Sequence, residues 1–546
     1  INPDAQLVQT EDLGKTYSTS KLKYQADFDN ERRWLTYDLL CGKVNEHHPL
    51  WNYLTGLKIP IKEFEFFLNN VCVPNIFGFN HYVTSERFLD HRVHLYPFHY
   101  NTGLREFVDV EAVRSKFDED SGIGVLLKEA WERYKQPIAI TEVHLHCHRE
   151  EQLRWFKHVY NTSHDLLQKG VNIKAVTAWA LLGSYGWSNL LTQANGIYEP
   201  GVFDMRGGTP RPTALAGFIK DINKKDKHPA CNGEGWWERG NRYICEPSFK
   251  TIHMQNKSEQ PPIIIIGKTG TLGTAFARIC EARNLNYKIL NRGQCDIANQ
   301  QSVKSMIEQY KPWCIINTAG YVKVDDAEKE HEKCFRENKT GPQNLAVACK
   351  QAGVKLVIFS SDLVFDGKKN TPYVESDAQN PLNIYGHSKF QCEELVIKEN
   401  HDALIIRTSA FFGPWDEYNF VYHVRKSLSQ FETITVANDI YISPTYIVDL
   451  VHSTLDLIID DEKQIWHLSN QGKVTWSEFA LMIADRFGLD KKLIIPLPQK
   501  DILFIAKRPA YSVLSSERAI LLPGLEDALY RYSDESRAIH LLSKTA

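Results

Sequence analysis

The sequence predicts an α/β protein whose C-terminal half is a doubly wound parallel sheet and whose N-terminal half alternates short strands with longer helices. Three observations carry this. Ile263 to Ile266 form an unbroken isoleucine run that passes directly into a glycine-rich turn, GKTGTLG. The apolar run Lys355 to Phe359 ends in Ser360 and Ser361, and Tyr385 and Lys389 follow, four residues apart. Four further apolar runs lie in the first 221 residues, at Ala5 to Gln9, Ile76 to Asn80, Ile138 to Thr141 and Ile173 to Leu182, with helical patterns such as Val125 to Tyr134 and Leu153 to Lys169 between them. Uninterrupted apolar strands are those of a sheet buried on both faces, and strand–helix alternation is the sequence form of that architecture.

At 546 residues the chain is expected to hold more than one domain. An apolar content of 43% and a charged content of 24% are those of a globular protein. The net charge of −3 and the lack of a long basic run give no reason to expect nucleic acid or an anionic membrane as partner. No apolar segment has the length of a membrane span. Eleven cysteines without C-x-x-C or zinc spacing favour reduced thiols and a cytoplasmic setting, with no metal site expected. The chain opens at Ile1 in what reads as running sequence, which leaves open that it is a fragment. Homo-oligomerisation is left open as well.

Strands with polar residues at their C-terminal ends suit a (β/α) barrel, although a closed one needs eight strands and four are visible before residue 221. His144, His146 and His148 alternate as they would along a strand extension or in a polar loop. Apolar periodicity stops after residue 221, and Pro, Gly and charged residues mark 222–260 as a linker, with Trp236 and Trp237 too apolar to be free of contact. The third segment is 261–546.

There the chemistry is concentrated. Glycines at 267, 270 and 273 follow a strand and open a helix, TAFARICEARN, so that backbone N–H groups at the helix start can meet a pyrophosphate. The next strand, Tyr287 to Leu290, ends in Asn291-Arg292, and an arginine here accommodates the 2′-phosphate of NADPH, with NADH also allowed. Further βα units follow, with a strand at Cys314 to Asn317 and a helix over Lys333 to Gln351. On a helix, Tyr385 and Lys389 share a face, and an ammonium beside a phenol is expected to make it a better acid. With Ser361 these groups could protonate a carbonyl oxygen while hydride reaches its carbon.

The segments NTAGYVKVDDAE (Asn317 to Glu328), SSDLVFDG (Ser360 to Gly367), NPLNIYGHSK (Asn380 to Lys389), IIRTS (Ile405 to Ser409), ISPTY (Ile442 to Tyr446) and KRPAYSVL (Lys507 to Leu514) resemble the extended short-chain dehydrogenase/reductases, and within them the dTDP-4-dehydrorhamnose reductases. That resemblance implies a Rossmann-type sheet with a small C-terminal substrate subdomain, and a catalytic set of Ser361, Tyr385 and Lys389. It implies cofactor contacts at Gly267, Gly270, Thr271, Leu272, Gly273, Arg292, Asp296, Ile297, Thr318, Ala319 and Gly320, and substrate contacts at Val324, Asp325, Ser360 and Asp362. The implied reaction is NADPH-dependent reduction of the C4 ketone of a dTDP-4-keto-6-deoxy sugar. Three departures bear on the sugar. Ala410 stands where the family has a tryptophan, Leu363 where it has a tyrosine, and Ile440 and Ile442 where it has glutamine and glycine.

In the first half, FGFNHY (Phe77 to Tyr82), PIAITE (Pro137 to Glu142) and AVTAWALLGSYGW (Ala175 to Trp187) resemble the second half of a glycoside hydrolase family 1 barrel. The resemblance makes Glu142 the counterpart of the nucleophile, with Asn80 and Tyr82 beside it. The acid/base N-E-P motif of that family is not present, so a barrel without hydrolytic activity is expected. The alternatives are a reductase or epimerase of another nucleotide sugar, an NADP-binding regulatory module without turnover, and a β-glycosidase.

Overall fold

The computed structural model describes residues 4–97, 106–187, 196–223, 228–244 and 260–545, the last eight of these by backbone alone. The chain divides into two compact units, Ile1–Asp204 with Pro212–Asn256, and Met205–Arg211 with Lys257–Ala546. Among the described residues no helix is long and apolar enough to cross a membrane.

The first unit is built on four parallel strands in chain order: β1 (Val8–Asp12), β2 (Ile76–Asn80), β3 (Ile138–Val143) and β4 (Ile173–Ala178). The first begins three residues later than its apolar run suggested. Val8 pairs with Ile76 and Asp12 with Asn80, and Leu7, just outside, is 43% exposed. Partner register therefore selects the strand, with polar Thr10, Glu11 and Asp12 inside it. Helices α1 (Ile123–Tyr134) and α2 (Arg149–Gln168) cover this unit, each starting earlier than its pattern predicted. Phe77 and Phe79 of β2 meet Tyr37, Trp34 and Tyr134 in an aromatic cluster with centroids 4.6–6.3 Å apart. Among the described residues the sheet has four strands, and β1 and β4 each have one neighbour.

The linker region 222–260 is described at 222–223, 228–244 and 260. Trp237 within it is 7% exposed and packs edge-on against Trp155, with ring centroids 5.2 Å apart.

The second unit holds six parallel strands: β5 (Ile263–Ile266), β6 (Tyr287–Leu290), β7 (Cys314–Asn317), β8 (Lys355–Ser361), β9 (Leu404–Thr408) and β10 (Gln464–His467). Their order is β6-β5-β7-β8-β9-β10, so the winding reverses between β5 and β7. The isoleucine run explains why the sheet is covered on both faces. Ile263 and Ile265 enter one core, with Phe276 of α3 (Thr271–Ala282) and Leu450 of a later helix, Ile447–Ile459. Ile264 and Ile266 enter the other, with Met306 of α4 (Gln300–Tyr310), Leu345 of α5 (Gly341–Ala352) and Val396 of α6 (Ile384–Glu399). Period-two alternation thus divides four identical side chains between two cores, each contributing about 1.5–3 kcal/mol of burial. A third core gathers Phe412, Val421, Phe479 and Leu529 beyond the C-terminal edge of the sheet and forms the small subdomain.

The helix expected over Lys333 to Gln351 is interrupted. His331–Phe335 runs through a π-helical turn, Arg336–Thr340, into α5. The turn brings the amide of Asn338, fully buried, onto the backbone of Tyr321 and the hydroxyl of Ser388.

Ile265→Ala, in a strand paired on both sides, is expected to lower unfolding free energy by about 2–5 kcal/mol in urea titration. Ile495→Ala, at a side chain 40% exposed, is expected to stay within about 0.5 kcal/mol.

Candidate functional site

The last residues of β8 and the first turns of α6 form the centre of the site. Asn383 caps α6, accepting from the Gly386 N–H at 2.7 Å, and its own amide donates to the Lys507 carbonyl at 2.9 Å. Gly386 permits the approach. A Cβ there would lie 2.3 Å from the Leu363 carbonyl oxygen, a distance no side chain tolerates. Tyr385 is consequently held beside Ser361, whose hydroxyl acts to lower the phenol's titration. The Lys389 Nζ donates to the Phe359 carbonyl at 3.0 Å and lies 5.8 Å from the Tyr385 ring centroid. The three expected catalytic side chains are therefore neighbours.

Their electrostatics differ from the sequence expectation. Burial pushes the Tyr385 phenol well above its ordinary range, and the Asp362 carboxylate adds to the rise while the Ser361 hydroxyl opposes it. Lys389 is lowered, first by burial, with Cys392, Cys334 and Glu393 opposing. The ammonium was expected to acidify the phenol. Desolvation of both groups, together with the engagement of Nζ by a carbonyl, outweighs that attraction.

Asp362 is 6% exposed and accepts three hydroxyls: Ser361 at 2.9 Å, Ser409 at 2.8 Å and Ser512 at 2.6 Å. Burial raises its carboxyl and these bonds oppose the rise. One turn beyond Lys389, Glu393 forms a buried ion pair with Arg407 of β9, at 2.6–3.2 Å, and also receives the Ser360 hydroxyl and the Gln379 amide. Ser360, expected at the substrate, donates to Glu393 and also lines the cavity above. A cavity of about 580 Å³ opens over this floor and is lined by Ser361, Asp362, Tyr385, Val324 and Arg508 among others. Asp325 accepts from the Ala506 N–H and from the Arg508 guanidinium at 2.9 Å.

The glycine turn lies at the reversal of strand order, where ligands of such sheets bind. Gly267 sits at φ +121°, and a Cβ there would meet the Thr318 hydroxyl at 2.4 Å. A Cβ on Gly273 would meet the Gly267 carbonyl at 2.2 Å, whereas one on Gly270 would find no protein atom nearer than 3.6 Å. Packing therefore explains two of the glycines and leaves the third open over the start of α3. No side chain caps that helix, and Thr271 and Leu272 form its first turn, Leu272 facing the core. Thr318 donates to the Ile266 carbonyl at 2.7 Å, Ala319 follows it, and a Cβ on Gly320 would fall 3.6 Å from the Lys389 Nζ. Arg292 is exposed and paired with Glu337. Arg336 bridges Glu337 and Asp296, each at 2.5 Å. The Ile297 side chain belongs to the core and its carbonyl accepts from Asn344.

Sequence reasoning passed over Asn338, Arg336, Glu393 and Arg508. The π turn that places Asn338 has no local sequence signal, while the KRP motif holding Arg508 was quoted without a role.

In the first unit, Asn80, Tyr82 and Glu142 also meet. Asn80 pairs with Glu142 in register, Thr141 donates to the Asn80 side chain at 2.8 Å, and the Tyr82 hydroxyl donates to the Glu142 carboxylate. Tyr82 is raised, first by burial and then by Glu142, with Asp12 and Glu199 adding. Glu199, which the sequence reading missed, shares a cavity of about 740 Å³ with Tyr82. β3 ends at Val143, so the three histidines lie beyond the strand. His144 and His146 turn to Glu199 at 3.1 and 3.5 Å, and His148 stands at the start of α2. Among the described residues no group of three side chains is arranged to hold a metal ion.

A family model described as the RmlD substrate binding domain matches residues 261–535. The spore coat polysaccharide biosynthesis protein SpsK of Bacillus subtilis is 34% identical over 269 residues, covering 49% of this chain and 94% of its own. A dTDP-4-dehydrorhamnose reductase of Mycolicibacterium smegmatis is 33% identical over 259 residues, covering 47% and 79%. Among solved structures, dTDP-4-dehydrorhamnose reductase from Bacillus anthracis in complex with NADP aligns at 31% identity with a TM-score of 0.49, over 50% of this chain and 99% of that one.

Lys389 is expected to titrate below the solvent-exposed lysines, because burial removes its proton at lower pH. ¹³Cε-lysine NMR, assigned through Lys389→Arg, measures this. A midpoint equal to or above theirs would contradict it.

Proposed function

Because the chain belongs to the RmlD substrate binding domain family through residues 261–535, we propose that its second unit reduces the C4 ketone of a dTDP-4-keto-6-deoxy sugar, with dTDP-4-dehydrorhamnose going to dTDP-L-rhamnose as the leading case. The observation that carries the reading is the convergence of Ser361, Tyr385 and Lys389 on the floor of a cavity. Curated relatives at about this similarity are named dTDP-4-dehydrorhamnose reductases.

NADPH suits the residues present. Gly270 keeps the space above the start of α3 clear, and that helix start offers N–H donors to a pyrophosphate. Arg292 and Arg336 provide positive charge after β6 for a 2′-phosphate, tempered by Glu337 and Asp296. When bound, NADPH supplies the hydride, two electrons to C4 of the ketone. Tyr385, whose phenol keeps its proton at neutral pH, donates that proton to the carbonyl oxygen, so the product is an alcohol. The Ser361 hydroxyl donates to Asp362, and by turning to the phenol oxygen it would stabilise the phenolate left behind, the sense in which it lowers that phenol's titration. Lys389, anchored through Nζ on the Phe359 carbonyl, is the side chain beside that phenol that would meet a ribose and, when protonated, favour the phenolate.

For the first unit the reading is a partial (β/α) barrel of glycosidase type, with Asn80, Tyr82 and Glu142 as inherited side chains and no hydrolytic role. Retaining hydrolysis needs a second carboxyl about 5–5.5 Å from the nucleophile. A different nucleotide sugar is the second reading for the reductase, favoured by the isoleucines that line its cavity.

Purified protein given dTDP-4-keto-6-deoxy-L-mannose is expected to oxidise NADPH, and Tyr385→Phe to lose at least about 10²-fold in kcat. An undiminished rate in the variant would end the assignment. Arg292→Ala is expected to weaken NADPH binding about tenfold and leave NADH binding unchanged, followed by cofactor fluorescence. Equal losses for both cofactors would remove the 2′-phosphate role.

A further inference from the structure

We infer that the first unit holds a binding site for a small organic anion, a phosphate ester or a carboxylate, in the cavity of about 740 Å³ that Tyr82 and Glu199 share. The cavity is built from that unit alone, so the site stands apart from the reductase reading. Two sets of observations lead there.

The first is the balance of charge. Arg114, Arg239 and Arg242 line the cavity with His144 and His146, and Glu199 is the carboxylate among the lining residues. Glu199 is 5% exposed and is already faced by both histidines. The carboxylates behind the wall are shared in the same way. Glu151 pairs with both Arg239 and Arg154, while Glu111 lies 3.8 Å from Arg114 and 4.0 Å from Arg87. Arg242, with no ion pair among the described residues, is held by the carbonyls of Val113, Glu238 and Arg239 and by the Tyr243 hydroxyl. Positive charge therefore exceeds negative on this wall, and a cleft lined by one sign of charge gathers the opposite sign.

The second is the supply of unused donors. The Arg114 guanidinium lies over the Trp236 ring, 4.5 Å from its centroid, and donates no hydrogen bond among the described residues. Stacking on an indole positions the planar group without spending an N–H. The fork that meets a carboxylate or a phosphate through two parallel bonds thus stays open. One N–H of Arg242 Nη2 is left as well, since a guanidinium carries five. Beside them the Trp187 indole, 49% exposed, offers carbon surface to the body of the ligand, and Asn241 an amide. Trp236, Arg239, Asn241 and Arg242 all come from the segment that reads as a linker, and the packing of Trp237 on Trp155 ties it to the unit.

Isothermal titration of the full chain at low ionic strength tests this, with NADPH at saturation to fill the cofactor site of the second unit. The probes are glucose 6-phosphate, glucuronate and, as the neutral control, glucose. At least one acid is expected to bind about tenfold or more tightly than glucose, the weight of a charge-assisted pair, and to weaken as salt is raised. The tighter of the two acids names the anionic group. Arg114→Ala is expected to weaken that acid about tenfold or more and to leave NADPH binding unchanged, with the melting temperature confirming that the variant is folded. If it melts early, Arg114→Gln, which keeps a planar group over Trp236 and removes the charge, takes its place. Acids that bind no better than glucose, or an acid whose affinity is untouched by loss of the Arg114 charge, overturn the inference. Either result leaves the reductase reading as it stands, because NADPH binding and turnover report on the other unit.

Discussion

The ion pair between Glu393 and Arg407 is what the rest of the site depends on. Both side chains are 1% exposed. Two opposite charges withdrawn from water are tolerated only when geometry and hydrogen bonding are nearly complete, and here they are. Glu393 meets Arg407 through both oxygens and receives Ser360 and Gln379 as well. Arg407 spends a further N–H on His467 of β10, whose imidazole is lowered by burial and hydrogen-bonds two carbonyls through its other nitrogen. One pair thereby couples α6 to β8, β9 and β10. Lys389 and Tyr385 lie one and two turns before Glu393 on the same helix, so the pair fixes the height and rotation at which they meet Ser361.

Burial then governs the direction in which the site's groups titrate. Tyr385, Asp362 and Lys389 all shift toward their neutral forms, the phenol and carboxyl upward and the amine downward, with desolvation the largest cause in each. A phenol that keeps its proton suits an acid that gives it up only to a developing alkoxide. The serine cluster around Asp362 offsets part of that desolvation.

The first unit shows a different use of the same physics. Tyr82 bonds Glu142 and Thr141 bonds Asn80 at the ends of β2 and β3, and His144 bonds Glu199 with His146 close by. Its strand-end polar groups satisfy each other, which keeps the site ordered without requiring that it react.

Much of the second unit was legible in the sequence because its signals are local. An isoleucine run has one plausible environment, the glycines at 267 and 273 answer to contacts within the same turn and the next strand, and a four-residue interval on a helix places Tyr385 and Lys389 on one face. The start of β1 was not legible, since Val8 to Asp12 is chosen by the register of Ile76 to Asn80 and not by its own apolarity. Nor was the π turn that delivers Asn338, because it answers to Tyr321 and Ser388 across the fold. The sequence by itself determined the identity and order of Ser361, Tyr385 and Lys389 as the candidate groups. Tertiary structure alone decided the direction in which they titrate, because desolvation and the pairing of Ser409 and Ser512 with Asp362 arise only when segments 47 and 150 residues apart close on the same carboxylate.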